Sequence, residues 1–163
     1  MSNLQIENVS KENIKEIAII EKICFPKEEA ASEQSIRERV ETFPESFFIG
    51  KIDGKIIGFI NGAVTDSSTI TDKMFENVNL HNPKGSYQMI FGLDVLPEYE
   101  KKGYGKQLMT HMIEESKKRG RKGVVLTCKE HLISFYEQFG YKVVGKSAST
   151  HGGATWYDMI LRF

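Results

Sequence analysis

Cysteine is scarce in this chain: Cys24 and Cys128 are the only two among 163 residues, too few for a disulfide framework or a cysteine-built metal cluster. Proline (four) and tryptophan (one) are also rare, so no proline-rich linker interrupts the chain. No apolar run reaches the roughly 18 residues of a membrane span, and no basic-then-apolar leader is visible. Net charge is missing as well. Lys plus Arg and Asp plus Glu each count 22, leaving no global basic field to hold nucleic acid or an anionic membrane. Internal repeats and low-complexity tracts are absent too. What remains, 40% apolar and 27% charged residues over 1–163, predicts one globular domain, cytoplasmic, with reduced thiols.

Along the chain, Leu4–Val9 alternates weakly and predicts a first strand. Ser10 caps a helix whose Ile14, Ile17, Ile20 and Cys24 share a face, and Phe25-Pro26 ends it. A second helix is predicted over 33–42 behind Ser32. Strands over 47–52 and 55–64 flank Asp53-Gly54, residues suited to a two-residue type I′ hairpin. The polar stretch 65–85 reads as a functional loop with a short helix near 69–75, and a fourth strand covers 86–95 with Gly92 inside it. A helix then opens from the turn 100–105 and ends at Gly120. Val124–Cys128 has the continuous apolar pattern of a strand buried on both faces. A short helix over 132–139 and strands over 141–147 and 154–161 complete the order β-α-α-β-β-β-α-β-α-β-β. This is an α/β fold: a mixed, mostly antiparallel sheet of six to seven strands flanked by about four helices.

The most informative segment is the turn Glu100-Lys101-Lys102-Gly103-Tyr104-Gly105-Lys106, between a strand and a helix. Glycines there let backbone N–H groups converge at a helix start, where the dipole favours an anion such as phosphate. A Walker P-loop needs glycine at 100 and Ser or Thr at 107, but Glu100 and Gln107 stand there. A dinucleotide fingerprint needs glycine or alanine at 108, where Leu108 stands. From these residues alone, a plain helix N-terminus with turn glycines remains the alternative.

Leu93-Asp94-Val95-Leu96-Pro97-Glu98-Tyr99 followed by Lys102-Gly103-Tyr104-Gly105 resembles the acetyl-CoA motif of the GCN5-related N-acetyltransferase (GNAT) superfamily. Leu132–Tyr141, with Phe135-Tyr136-Glu137 and Gly140-Tyr141, resembles that superfamily's second motif, in the right order and spacing. Phe25-Pro26, Phe43-Pro44-Glu45-Ser46, Cys128 and Val143-Val144-Gly145 make the chain similar to the arylalkylamine (serotonin-type) branch from about residue 14 onward. The resemblance implies a GNAT fold and direct acetyl transfer from acetyl-CoA to a primary amine, an arylalkylamine or polyamine, with no metal. Acceptors on protein lysines, N-termini or aminoglycosides, and a non-catalytic CoA-binding module, are its alternatives; a homodimer is compatible with it. It departs from the pattern in three places. Glu100 replaces Gln or Arg, Lys129 stands at a frequent Asn, and Met89 and Phe91 occupy positions where animal arylalkylamine enzymes carry two histidines.

Residue by residue, the resemblance assigns the pantetheine to the strand Leu93, Asp94 and Val95. The phosphates fall to Lys101, Lys102, Gly103, Tyr104, Gly105 and Lys106. An alkyl ammonium has a pKa near 10.4, so roughly one molecule in two thousand is nucleophilic at neutral pH and the site must accept a proton. Tyr136 is the expected proton donor to the leaving thiolate, and His151, before two glycines, the candidate base. Glu28 and Glu29 are alternative receivers of the ammonium, and a water chain is another. Phe25, Met89 and Phe91 are expected beside the acceptor. His81, His111 and His131 are read as surface or capping residues. Charge follows the same division. Residues 1–100 carry ten basic and seventeen acidic side chains, whereas 101–122 carry eight basic and two acidic.

Overall fold

The computed structural model describes residues 3–163. The elements run β1 (Gln5–Asn8), α1 (Ile14–Cys24), α2 (Glu33–Thr42), β2 (Phe47–Ile52), β3 (Lys55–Asn61), β4 (Val64–Thr65) and α3 (Asp72–Glu76). They continue with β5 (Tyr87–Met89), β6 (Gly92–Val95), α4 (Tyr104–Lys118), β7 (Gly123–Cys128), α5 (Ile133–Glu137), β8 (Lys142–Lys146) and β9 (Tyr157–Arg162). The local signals explain their ends. Ser32 Oγ accepts the Ser35 N–H at 3.1 Å to start α2. Asp53 and Gly54 both take positive φ, 49° and 81°, as a type I′ hairpin requires.

The expected single sheet of six to seven strands is instead two sheets, ordered β1-β2-β3-β6 and β4-β5-β7-β9-β8. All pairings are antiparallel except the parallel pair β5–β7. The difference has one physical cause: two long predicted strands each change sheet part-way. Residues 55–64 divide into β3 and β4, and residues 86–95 into β5 and β6. At that crossing the backbones touch so closely that a methyl on Gly62 would lie 1.8 Å from the Met89 carbonyl oxygen. Ile90 N–H still bonds across to β7, at Val125 O (2.9 Å), while the next residue, Phe91, donates to Asn61 O at the end of β3 (2.7 Å). The β6 register also sets Gly92 opposite Asn61, so two residues face one, a β-bulge. Beyond it, among the described residues, β6 pairs only with β3, and its edge toward β7 is open.

Apolar packing fills both faces of the first sheet. Ile14, Ile17, Ile20, Ile36 and Val40 of α1 and α2 cover one face against Phe47 and Phe59, whose rings stack at 5.6 Å. Leu108, Met109 and Met112 of α4 cover the other, meeting Phe48, Ile60, Val124 and Leu126 where the sheets diverge. Truncating a ring such as Phe59 in this packing costs about 3–5 kcal/mol. His81 departs from the surface role read from sequence. Its side chain is buried, its Nδ1 accepts the Val64 N–H at 3.0 Å, and its Nε2 therefore donates to Glu45 at 3.1 Å.

Candidate active site

A cavity of about 260 Å³ opens where the two sheets part. Phe91, Gly92 and Leu93 form its floor at the crossing, and Leu126 to Cys128 of β7 form one side. Along the floor runs the open edge of β6. Leu96 N–H bonds to Ile57 O at 2.8 Å, which makes 57/96 a hydrogen-bonded pair. Antiparallel alternation then turns the N–H groups of Leu93 and Val95 away from β3, into the gap. The strip continues to the N-terminus of α4, whose first N–H groups lack helical acceptors. Gly103 holds φ at 86° there, a left-handed conformation that glycine adopts without strain. A methyl on Gly105 would already touch Val95 at 3.6 Å and Phe135 at 4.0 Å, so the missing side chain keeps the helix end open beside β6. Lys101, Lys102 and Lys106 stand exposed around that end. The arrangement fits an extended ligand that carries amides along the strand and phosphates at the helix.

The α1–α2 wall is charged although buried. Glu21 is 6% exposed, Arg39 5% and Asp94 0%. Glu21 Oε2 accepts the Ala31 N–H at 2.9 Å, and Arg39 donates to Asn61 Oδ1 at 3.2 Å and Phe75 O at 3.3 Å. Burial, with the adjacent Glu21 carboxylate, raises the Asp94 carboxyl well above its ordinary range. Cys24 nearby donates its S–H to Val95 O at 3.3 Å, and burial pushes its thiol up to about 12.

The opposite wall is neutral. Tyr136 of α5 lines the cavity with Cys128, and burial raises both, the Cys128 thiol to about 11. The phenol therefore keeps its proton across the neutral range. Aromatic groups close the remaining side. Phe75 of α3 contacts Phe91 at 4.9 Å and stacks on His151 at 5.8 Å and 7°. Trp156 donates its ring N–H to His151 O at 2.9 Å. Ser149 donates to Asp72, tying this last loop to the start of α3. His151 Nε2 donates to Glu29 O at 3.0 Å, and a methyl on Gly152 (φ 63°) would strike the Glu29 side chain at 2.7 Å.

The acetyltransferase (GNAT) family model matches residues 14–141. The chain belongs to the acetyltransferase (GNAT) family. Serotonin N-acetyltransferase of Mesocricetus auratus is 29% identical over 108 residues, 66% of this chain and 51% of that protein. The uncharacterized N-acetyltransferase YkwB of Bacillus subtilis is 30% identical over 124 residues, 68% of this chain and 54% of that one. The chain thus spans about half the length of the curated relatives it matches. Among solved structures, the loading GNATL domain of CurA from Lyngbya majuscula superposes with a TM-score of 0.85 at 16% identity, covering 98% of each chain.

Within this GNAT domain the structure gathers Phe25, Glu29, Phe91, Leu93, Tyr136 and His151 around one cavity. Other expected positions fall elsewhere. Met89 is fully buried in the core beneath α3 with Val125 and Ile160, and does not reach the cavity. The Asp94 side chain turns into the α1 side, because alternation along β6 sends it opposite to Leu93 and Val95. Glu28 is exposed and outside the cavity lining. Glu29 is no free receiver for an ammonium: Lys129 Nζ sits 2.7 Å from its Oε2. Lys129 also lies 5.7 Å over the Trp156 ring.

Sequence reasoning missed Glu21, Arg39, Phe75 and Trp156. Glu21 and Arg39 did carry a signal. Each is a charge on the core face of an amphipathic helix, Glu21 beside Ile17, Ala18 and Ile20, and Arg39 between Ile36 and Val40. Phe75 and Trp156 carried none, since only the fold brings their loops together.

Proposed function

We propose that this chain transfers the acetyl group of acetyl-CoA directly to the primary amine of a small aromatic molecule, an arylalkylamine. One observation carries the reading: the open amide edge of β6 runs into a cavity whose acceptor side is built from Phe75, Phe91, His151 and Trp156. Acetyl-CoA, when bound, supplies an activated thioester. The amides of Leu93 and Val95, turned away from β3, would hold its acyl and pantetheine groups as an added strand and donate to the charge that develops on the thioester oxygen. Gly103 to Lys106 receive the phosphates, helped by Lys101 and Lys102. Tyr136 gives its proton to the leaving sulfur. Burial raises the Tyr136 phenol, so its proton is still in place when the thiolate forms beside it. The free thiols of Cys24 and Cys128 suit the reducing cytoplasm.

The similarity to a serotonin N-acetyltransferase supports an aromatic acceptor. The test is CoA thiol release with 2-phenylethylamine, tryptamine, spermidine, an N-terminal alanine peptide and an aminoglycoside. The two aryl amines are expected to give kcat/KM at least tenfold above the others. Higher turnover of the peptide or the antibiotic would replace the acceptor class. Acetyl-CoA binding with no turnover on any of the five would leave a cofactor-binding module.

A further inference from the structure

The acceptor reaches the cavity as a cation and must lose a proton before it attacks, yet Met89 is sealed in the core and Glu29 is paired with Lys129. We propose that Glu21 receives the ammonium group and takes its proton, with Asp94, Asn61 and Arg39 as the residues that hold its carboxylate in place. The inference rests on the acetyltransferase reading of the same cavity.

Three observations support it. Glu21 lines the cavity although only 6% of the residue is exposed, and the Ala31 N–H fixes one of its oxygens at 2.9 Å. Its other oxygen borders a niche left by the absent side chain of Gly92. A methyl placed there would meet Asp94 Oδ1 at 3.2 Å, Asn61 Nδ2 at 3.5 Å and Glu21 Oε1 at 3.9 Å. This niche adjoins Leu93, the residue whose N–H faces the open edge, so a nitrogen leaving it is next to the acyl position. Finally, fully buried Asp94 has one side-chain hydrogen-bond partner, the Glu21 carboxylate, and no other among the described residues. A carboxylate held from two sides, by the Ala31 N–H and by Asp94, and bordering the cavity beside Gly92 is placed to accept a donor that arrives with the substrate.

The groups facing Glu21 are Cys24 on its own helix, Arg39 from α2 and Asp94 from β6, with uncharged Asn61 from β3. The proton balance is simple. An N–H bond of the ammonium breaks and an O–H bond forms on Glu21, which later releases that proton through the cavity mouth. The freed pair on nitrogen forms the N–C bond. The C–S bond breaks, sulfur takes the Tyr136 proton, and the second proton of the amine restores the phenol.

The test compares Glu21→Gln on 2-phenylethylamine and on its β,β-difluoro analogue at pH 8, where fluorine has lowered the ammonium pKa and most of the analogue is already neutral. The expected loss in kcat/KM is on the order of 100-fold for the parent amine. It is expected to be less than tenfold for the analogue, with acetyl-CoA affinity within twofold of wild type. Glu21→Asp is expected to recover part of the parent rate. Should Glu21→Gln lower Tm sharply, Gly92→Ala serves instead: it keeps every charge, fills the niche and is expected to raise KM for both amines. Equal losses on both amines in Glu21→Gln would make Glu21 purely structural and overturn the inference, as would a wild-type rate. A wild-type chain that acetylates neither amine would instead remove the arylalkylamine reading itself.

Discussion

On the α1–α2 side of the cavity, Glu21 and Arg39 are buried beside Asp94, whose carboxyl burial raises. On the β7–α5 side, Tyr136 and Cys128 bury groups that burial keeps neutral. The contrast teaches how one small cavity can serve two proton tasks. A buried carboxylate fixed by the Ala31 N–H and beside a guanidinium keeps a proton-accepting site near the incoming cation. A buried phenol keeps a proton available where a thiolate appears. The two walls meet at the crossing of β5 and β6, so the bulge at Phe91 and Gly92 sets their separation. The substrates divide in the same sense. The lysines exposed around the start of α4 stand at the end proposed for an anionic tail, and buried Glu21 at the end proposed for a cation.

The sharpest break in the contrast removes the donor from the neutral wall. Tyr136→Phe is expected to lower kcat on the order of 100-fold while acetyl-CoA affinity stays within twofold, measured by steady-state kinetics and calorimetry. An unchanged kcat across pH would take Tyr136 out of the chemistry. Opening the aromatic side comes next. Phe75→Ala or Trp156→Ala is expected to raise KM for 2-phenylethylamine about tenfold, and KM for hexylamine by much less, because the lost contact is with a ring. A smaller effect belongs to the anionic end. Alanine at Lys101, Lys102 and Lys106 together is expected to weaken acetyl-CoA binding severalfold at low salt, and by less at high salt, because exposed charges are screened.

The smallest effect concerns stability. The Asp94 carboxyl is raised in the folded chain, so the fold holds a proton that the unfolded chain releases above about pH 4. Stability from this group is therefore full below that pH and declines as pH rises toward the folded value. Asp94→Asn, which does not titrate, is expected to gain about 2–4 °C in Tm over wild type at pH 7 and nothing near pH 4. A constant difference across that range would assign the effect to packing.

Much of this architecture was legible beforehand, for identifiable reasons. Ser32, Asp53-Gly54 and Gly120 act locally, so α2, the first hairpin and the end of α4 follow from neighbours in sequence. The glycine turn and Tyr136 were readable because short motifs carry them. The splitting of 55–64 and 86–95 was not, since Gly62 and Gly92 read equally well as irregularities inside one strand and only the approach of Gly62 to Met89 in the fold marks the change of sheet. The site divides similarly. Glu28 and Glu29 read as loop acids open to an ammonium, and Lys129, 100 residues distant, pairs with the second. Glu21 stood inside a helix pattern that describes core, and Asp94 was assigned by motif to the cofactor while its side chain faces the other way.

The most direct test of the central claim, direct acetyl transfer in this cavity, is a single-turnover reaction of the wild-type chain with acetyl-CoA labelled on the acetyl carbonyl and 2-phenylethylamine. Quenched samples are read by intact-protein and small-molecule mass spectrometry. The account predicts one labelled N-acetyl amine and one CoA thiol per turnover, with no labelled protein at any time. A labelled acetyl-enzyme on the path to product, or CoA release without the amide, would contradict it.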